Sequence, residues 1–261
     1  MASVKHTLKK RMPPPLQRAL VRMLTSRRNT LPWLIYGRAT YSQDGLVTAH
    51  NADFMSDPRF AEAYAAGKAT GSWIDGDVHW RAYVLCWAAG RAVHLPGDFV
   101  ECGVYKGGYS LTVCKYVKFE TLPKRFYLLD TYEGLVEQYI SPEERAHGIE
   151  VGGYEPSYEA VVRTFSQYPN VEIIKGPVPD TLPQVKPDQI SYLSIDMNTR
   201  DPEIAAAEYF WDKLVSGAVM VLDDYGWRKH IEQKKAFDEF ARQRGVQVLP
   251  LPTGQGLIFK P

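Results

Sequence analysis

The stretch GDFVECGVYKGGYS, residues 97–110, starts as an apolar strand and becomes glycine-rich where a helix is predicted to begin. Gly103, Gly107 and Gly108 let the backbone approach a ligand closely, and the helix that follows is expected to present free N–H groups to it. Glu101 stands where the dinucleotide-binding pattern G-x-G-x-x-G has its first glycine. Because a carboxylate there would repel a pyrophosphate, the loop predicts a ligand with positive charge and no phosphate.

Apolar strands alternate with helical stretches along the rest of the chain. The predicted strands are DFVECG, RFYLLDT, VEIIKG, ISYLSIDM and AVMVLDDY, followed by VQVLPLP and GLIFKP as an antiparallel pair. The predicted helices are YSLTVCKYVKF, SYEAVVRTFSQY, PEIAAAEYFWDKL and HIEQKKAFDEFARQR. This alternation predicts an α/β domain over residues 97–261, with a mostly parallel sheet and helices on both faces.

Two regions precede this domain. Residues 31–96 contain the alanine-rich and aromatic stretches FAEAYAAGKA and HWRAYVLCWAA, and are predicted to form a mainly helical cap over the sheet edge or the substrate entrance. Residues 1–30 carry eight Lys or Arg and no acid, with apolar residues at helical spacing. That extension fits contact with an anionic membrane surface, packing on a partner subunit, or a basic tail with one docked helix.

Composition limits the class of protein. With 45% hydrophobic and 23% charged residues and no long apolar run, the 261-residue chain reads as globular, and nothing near its start resembles a secretion signal. Its three cysteines, Cys86, Cys102 and Cys114, lack metal-type spacing and are expected to be buried thiols in a cytoplasmic protein. Residues 31–261 are net acidic, which argues against a nucleic-acid partner. The amphipathic extension favours a homo-oligomer.

Acidic residues stand at the ends of four predicted strands: Glu101, Asp130, Asp196, and Asp223 with Asp224. Ligands of open parallel sheets bind beyond the carboxyl ends of the strands, so these acids are predicted to face a cleft. Asp130 is placed to accept hydrogen bonds from ribose hydroxyls, which suits NAD and S-adenosylmethionine equally. Glu101 discriminates between them, because S-adenosylmethionine carries an ammonium and a sulfonium but no phosphate.

The segments GDFVECGVYKGG, YLLDTYEGL, IIKGPVPDTLP, YLSIDMN and GAVMVLDDYG together resemble the macrocin O-methyltransferase family, in matching order over about residues 97–240. The resemblance implies a Rossmann-like class I methyltransferase fold, with a seven-stranded sheet whose last strand is antiparallel. It also implies S-adenosylmethionine-dependent methylation of a hydroxyl on a sugar or glycosylated molecule. The predicted cofactor contacts are Glu101, Cys102, Gly103, Tyr105, Gly107, Gly108, Asp130, Thr131, Gly176 and Asp196.

The same resemblance implies a divalent cation, usually Mg²⁺, held by three aspartates that match Asp196, Asp223 and Asp224. Carboxylate oxygens without His or Cys suit Mg²⁺ or Mn²⁺ rather than zinc. Such a cation could hold two sugar hydroxyls and lower the pKa of the one to be methylated.

The chain departs from its relatives at one position, where they often carry a second aspartate that has been proposed as the general base. Here the residue is Asn198, whose amide cannot take up a proton. The base is then Asp196, or a histidine such as His147 or His50, or the cation makes a strong base unnecessary. His147 lies in EERAHGIEVGGYEP, a glycine-containing segment predicted to be a mobile lid.

Three functions remain open on the sequence. The leading one is a metal-assisted O-methyltransferase of a sugar, a glycoside or a polysaccharide. The second is an NAD-dependent oxidoreductase, which predicts a glycine in place of Glu101. The third is a non-catalytic protein that binds S-adenosylmethionine or a partner, which Asn198 favours and the three intact aspartates oppose.

Overall fold

The computed structural model of the protein describes residues 38–73 and 76–261. The described residues fall into two units, the first ending at Ala52 and the second running from Asp53 to Pro261. The predictions for residues 1–30 lie outside the described residues. Within residues 38–73 and 76–261, no helix combines the length and the apolarity that crossing a membrane requires.

The described part of the first unit contains a hairpin that the sequence analysis did not predict. Strands β1 (Tyr41–Gln43) and β2 (Leu46–Thr48) are antiparallel and are joined by Asp44 and Gly45. Both joining residues have positive φ, 51° and 73°, as a two-residue hairpin turn of the Asp-Gly type requires. Each strand has only three residues, too short for an alternating pattern to stand out.

The second unit is an α/β fold. In chain order its elements are α1 (Pro58–Ala69), α2 (His79–Ala92), β3 (Asp98–Cys102), α3 (Gly108–Val117), β4 (Phe126–Asp130), α4 (Pro142–Ala146), α5 (Tyr158–Phe165), β5 (Val171–Lys175), β6 (Ile190–Ile195), α6 (Arg200–Trp211), β7 (Leu214–Leu222), α7 (Ile231–Arg244), β8 (Leu249–Pro250) and β9 (Gly256–Phe259). Short 3₁₀ turns connect several of them.

The seven strands of this unit form one sheet in the order β5-β4-β3-β6-β7-β9-β8. Strands β3 to β7 pair in parallel, and β9 runs antiparallel to both of its neighbours. The predicted fold class, including the antiparallel last strand, is confirmed. Strand order reverses between β3 and β6, where ligands of such sheets bind.

Side chains that alternate along the strands build a core on each face of the sheet. On one face, Phe99, Phe126 and Tyr192 pack with the helices α1, α2, α3 and α5. On the other, Val100, Leu193 and other strand residues pack with α6 and α7. Helices α1 and α2 thus belong to the core of the second unit, and the three cysteines are buried and unpaired as predicted.

Candidate active site

A cavity of about 410 Å³ lies at the carboxyl ends of the central strands. One part of its wall is the glycine-rich loop after β3, and another is formed by the acids after β6 and β7. Aromatic side chains add apolar surface: Trp73, Tyr109, Tyr139, Tyr154 and Trp227. A largely apolar cavity with a few convergent polar groups is typical of a small-molecule site.

The glycine-rich loop is fixed against its surroundings by close backbone contacts. Gly103 has a φ of 91°, and a Cβ atom on it would lie 1.9 Å from the carbonyl oxygen of Asp196. Gly107, the N-cap of α3, has a φ of 81°, and a Cβ there would lie 2.7 Å from the Phe165 ring. Only glycine fits such contacts at these φ values.

Asp130 holds this loop from the end of β4. Its Oδ2 accepts the backbone N–H groups of Val104 at 2.6 Å and Tyr105 at 2.7 Å, and its Oδ1 accepts that of Tyr132 at 2.6 Å. Tyr105 has a φ of 51°, an unusual value for a non-glycine residue. Asp130 lines the cavity, but its oxygens already hold the loop, a role that the sequence analysis missed.

The start of α3 is capped by a residue distant in sequence. The Gly108 N–H donates to the Ser72 hydroxyl at 2.9 Å, so this helix end presents fewer free N–H groups than expected. Ser72 and Trp73 follow α1 and line the cavity beside Tyr109. The helical region before β3 therefore contributes part of the cavity wall.

Glu101 lies behind the glycine-rich loop. It is the fourth residue of β3 and shares its sheet face with Phe99, so its side chain points toward α3, where the Ser110 hydroxyl donates to it at 2.7 Å. Its Oε2 is buried without a hydrogen-bond partner in the described structure. Burial, reinforced by Asp223 and Asp130, raises the Glu101 pKa to about 8. An oxygen in this state can still accept one more donor.

The three predicted metal ligands converge. Asp196 follows β6, Asp223 and Asp224 follow β7, and one carboxylate oxygen from each lies within 4.8 Å of the others. Burial, followed by the charges of Asp223 and Asp224, raises the Asp196 pKa well above its usual range. Oδ2 of Asp224 is buried without a hydrogen-bond partner among the described residues. Hard oxygen donors with an unsatisfied oxygen fit a divalent cation.

Asp223 is the member of this triad with protein partners on both oxygens. The Arg81 Nη1 donates to its Oδ2 at 2.5 Å, and the Gln255 Nε2 donates to its Oδ1 at 3.0 Å. Arg81 comes from the first turn of α2 and Gln255 from the residue before β9. Neither was predicted as a site residue, because their partner is 142 and 32 positions away in sequence.

Asn198 contacts Asp196 directly. Its Nδ2 donates to the Asp196 Oδ1 at 3.2 Å, and its φ of 59° is one that asparagine tolerates. Buried Glu203 on α6 accepts the backbone N–H groups of Met197 and Asn198, each at 3.0 Å. Burial, with a contribution from Asp224, raises the Glu203 pKa to about 8. Asn198 is thus a donor to the acid triad, held by Glu203.

The predicted histidine is placed elsewhere. His147 follows α4, its side chain is 43% exposed, its Nε2 lies 4.0 Å from Glu232, and it does not line the cavity. His50 is exposed after the hairpin. His230 lines the cavity, is buried, and lies 3.7 Å from Asp224. No pattern in the sequence distinguishes it from the other histidines.

The predicted cofactor contacts divide into two groups. Those that line the cavity are Gly103, Tyr105, Gly108, Asp130, Thr131, Gly176 and Asp196. Those that do not are Glu101, Cys102 and Gly107, which support the loop from inside the fold. Contact of all ten residues with a cofactor stays a prediction.

Comparison with known proteins agrees with this geometry. The chain is 26% identical to an 8-demethyl-8-(2,3-dimethoxy-alpha-L-rhamnosyl)-tetracenomycin-C 4'-O-methyltransferase of Streptomyces olivaceus, an alignment that covers 50% of this chain and 54% of that relative. The chain thus spans about half the length of the curated relative it matches.

Solved structures share the fold. The O-methyltransferase NovP superposes with a TM-score of 0.60 at 19% identity, over 69% of this chain and 79% of that one. The calicheamicin methyltransferase CalS11 superposes with a TM-score of 0.57 at 14% identity, over 81% and 98%. The model of the Macrocin-O-methyltransferase (TylF) family matches residues 83–251. Because that match covers more than half of the sequence, the chain belongs to the macrocin O-methyltransferase family.

Proposed function

We propose that the protein transfers a methyl group from S-adenosylmethionine to a hydroxyl of a sugar or of a glycosylated molecule. The observation that carries this proposal is the shared cavity, in which the glycine-rich loop and three converging aspartates face the same space. Family membership supports the same reaction class. Bound S-adenosylmethionine would supply an electrophilic methyl group, so that the protein's part is mainly to position two reactants.

Two walls of the cavity are proposed to bind the two reactants, one the cofactor and the other the acceptor. Gly103, Tyr105 and Gly108, with Asp130 behind them, offer a pre-ordered backbone surface for the cofactor. Glu101 lies behind this surface with an Oε2 unpartnered among the described residues, and its proposed role is to favour the cofactor's ammonium group electrostatically across the loop, without lining the cavity. On the other wall, Asp196 is the proposed acceptor of the hydroxyl proton, because it lies in the cavity and His147 does not.

A divalent cation, Mg²⁺ or Mn²⁺, is proposed to assist. Asp196, Asp223 and Asp224 would hold it, and the short distances among their oxygens and the unpartnered Oδ2 of Asp224 support this assignment. A cation there would offset the mutual repulsion of three closely spaced carboxylates and polarise an acceptor hydroxyl.

A sugar acceptor is supported by the cavity's composition. Tyr139, Tyr154 and Trp227 present apolar surface beside the acids, a combination suited to a ring with one apolar face and several hydroxyls. The curated relative is named for methylation on a rhamnosyl-tetracenomycin, and the CalS11 protein is described as a TDP-rhamnose methyltransferase. A rhamnosylated or nucleotide-linked deoxysugar is therefore the acceptor class to test first.

Calorimetric titration tests the cofactor, and transfer of a labelled methyl group to a panel of glycosides tests the reaction. We expect micromolar binding of S-adenosylmethionine, at least tenfold weaker binding by Glu101→Gln, and no heat with NAD. Asp196→Asn should abolish transfer, whereas His147→Gln should keep it within about twofold. Heat with NAD instead would overturn the proposal.

Asn198 favours one alternative, a protein that binds S-adenosylmethionine without turnover, because it lacks the acid found at this position in relatives. Cofactor binding with no transfer to any member of the panel, at any Mg²⁺ concentration, would support that alternative. Transfer to one glycoside would exclude it.

A further inference from the structure

The guanidinium of Arg81 occupies a position inside the acid triad. Its Nη1 lies 2.5 Å from Oδ2 of Asp223, and the two side chains are only 16% and 3% exposed. A charged pair this well shielded from water interacts far more strongly than a surface ion pair. The triad therefore already holds one positive charge supplied by the chain itself.

The position of Arg81 is not explained by helix stability. It lies in the first turn of α2, where the helix dipole disfavours a cation, and that turn contains no acidic residue. Its guanidinium also lies 5.6 Å from the Trp227 ring, which lines the same cavity. The contacts with Asp223 and Trp227 place the Arg81 guanidinium at the site.

Asp223 is fixed from two sides by this arrangement. Gln255, which is fully buried, donates its Nε2 both to Asp223 Oδ1 at 3.0 Å and to the backbone carbonyl of Arg81 at 3.4 Å. Arg81 and Gln255 thus hold the two carboxylate oxygens of Asp223. Among residues 38–73 and 76–261, no Lys or Arg forms an ion pair with Asp196 or Asp224: Asp196 accepts the Asn198 amide, and the His230 Nε2 lies 3.7 Å from Asp224 Oδ2.

We propose that Arg81 is a positioning residue whose guanidinium occupies the Asp223 carboxylate. A divalent cation in this protein is then held mainly by Asp196 and Asp224, and Arg81 weakens the affinity of the site for that cation. This inference deepens the proposed function, since it concerns the same acids. Its physical basis is the repulsion between a guanidinium and a divalent ion that share one carboxylate in a poorly hydrated site.

The test measures binding of Mn²⁺ alone to the full chain, by the loss of the free-ion electron paramagnetic resonance signal. It needs neither cofactor nor acceptor. Arg81→Gln is expected to tighten the Mn²⁺ Kd at least tenfold, and Arg81→Lys, which keeps the charge, to leave it within about threefold of wild type. Arg91→Gln, an exposed change at the other end of α2, serves as the matched control and should change nothing.

A second set of variants compares how much each of the three aspartates contributes to Mn²⁺ binding. Asp224→Asn and Asp196→Asn should weaken Mn²⁺ binding at least tenfold, and Asp223→Asn by less than threefold. If Arg81→Gln unfolds the protein, this series still decides the inference, because it does not alter Arg81. A melting scan confirms folding, and Mn²⁺ should raise the melting temperature of Arg81→Gln more than that of wild type.

Two results would overturn the inference: an unchanged or weaker Mn²⁺ Kd in Arg81→Gln, including no binding by either protein, or equal losses for all three aspartates. Failure of the proposed function is recognised separately. It would appear as absent S-adenosylmethionine binding or absent methyl transfer, neither of which enters the Mn²⁺ measurement.

Discussion

The carboxylate of Glu144 accepts the backbone N–H of Arg200 at 2.6 Å, which joins α4 to the first turn of α6. The other oxygen of Glu144 accepts the N–H and hydroxyl of Ser141, both at 2.9 Å, in a capping box. A buried anion held by these donors connects the segment predicted as a lid to the loop that carries Asn198. The lid segment is therefore anchored at α4.

Glu144→Gln is expected to lower the free energy of unfolding by about 1–3 kcal/mol, because the amide nitrogen cannot accept at one of these positions. Urea denaturation measures it. Glu143→Gln is the matched control: Glu143 is the exposed neighbour, and its change should stay within about 0.5 kcal/mol. Equal effects of the two substitutions would contradict the anchoring role.

Asp130→Asn is expected to disorder the glycine-rich loop, since an amide NH₂ would face a backbone N–H that Asp130 now accepts. We expect a loss of about 1–3 kcal/mol in stability and at least tenfold weaker S-adenosylmethionine binding by calorimetry. Asp98→Asn is the control at the opposite end of β3, where Asp98 accepts the Arg125 N–H at 2.8 Å. It should leave cofactor affinity unchanged. Equal S-adenosylmethionine affinity in the two variants would contradict the role of Asp130 in holding the loop.

Glu101→Gln is expected to change how stability depends on pH. The Glu101 pKa is raised from 4.5 to about 8, so the folded protein keeps a proton that the unfolded chain releases. Its contribution to stability is therefore present below pH 4.5 and is lost as pH rises toward 8. The glutamine variant should gain stability over wild type at pH 8.5 by more than at pH 5, in urea titrations. Glu203, whose pKa is also raised to about 8, contributes a similar loss of stability with rising pH in both proteins. An equal difference at both pH values would contradict this assignment.

Asn198→Asp is expected to place a fourth carboxylate beside Asp196, where the amide now donates at 3.2 Å. Repulsion should lower the melting temperature without a cation, and Mg²⁺ should raise it more than in wild type. Asn198→Gly removes the amide while tolerating the φ of 59°, and should show no increased response to Mg²⁺. The same Mg²⁺ response in all three proteins would argue against a cation at the triad.

The fold was largely predictable because buried parallel strands appear as continuous apolar runs between helices. Strand β6, buried along its whole length, and the acids that follow β6 and β7 are examples. The hairpin at Tyr41–Gln43 and Leu46–Thr48 was not predicted, since three-residue strands carry too little pattern. The 3₁₀ turn and α4 within the segment before Tyr154 were also missed.

The site was predictable where strand ends of the parallel sheet bring acids together, as they do for Asp196, Asp223 and Asp224. The placement of Glu101 depends on the alternation of β3, which turns its side chain toward Ser110 rather than into the cavity. Arg81, Gln255 and Ser72 reach the site from distant elements, and no local pattern marks them. Tertiary contacts of this kind follow from the fold and cannot be read from spacing.

The close approach of Gly103 to the Asp196 carbonyl joins the two loops of the candidate site backbone to backbone. No side chain separates them, so we expect that the spacing between the proposed cofactor side and the proposed proton-acceptor side cannot be adjusted by substitution without moving a strand. We therefore expect specificity for other acceptors to change through the aromatic side chains that line the cavity, Tyr139, Tyr154 and Trp227, which we call its aromatic rim. A library aimed at new sugars should vary that rim and leave the junction untouched.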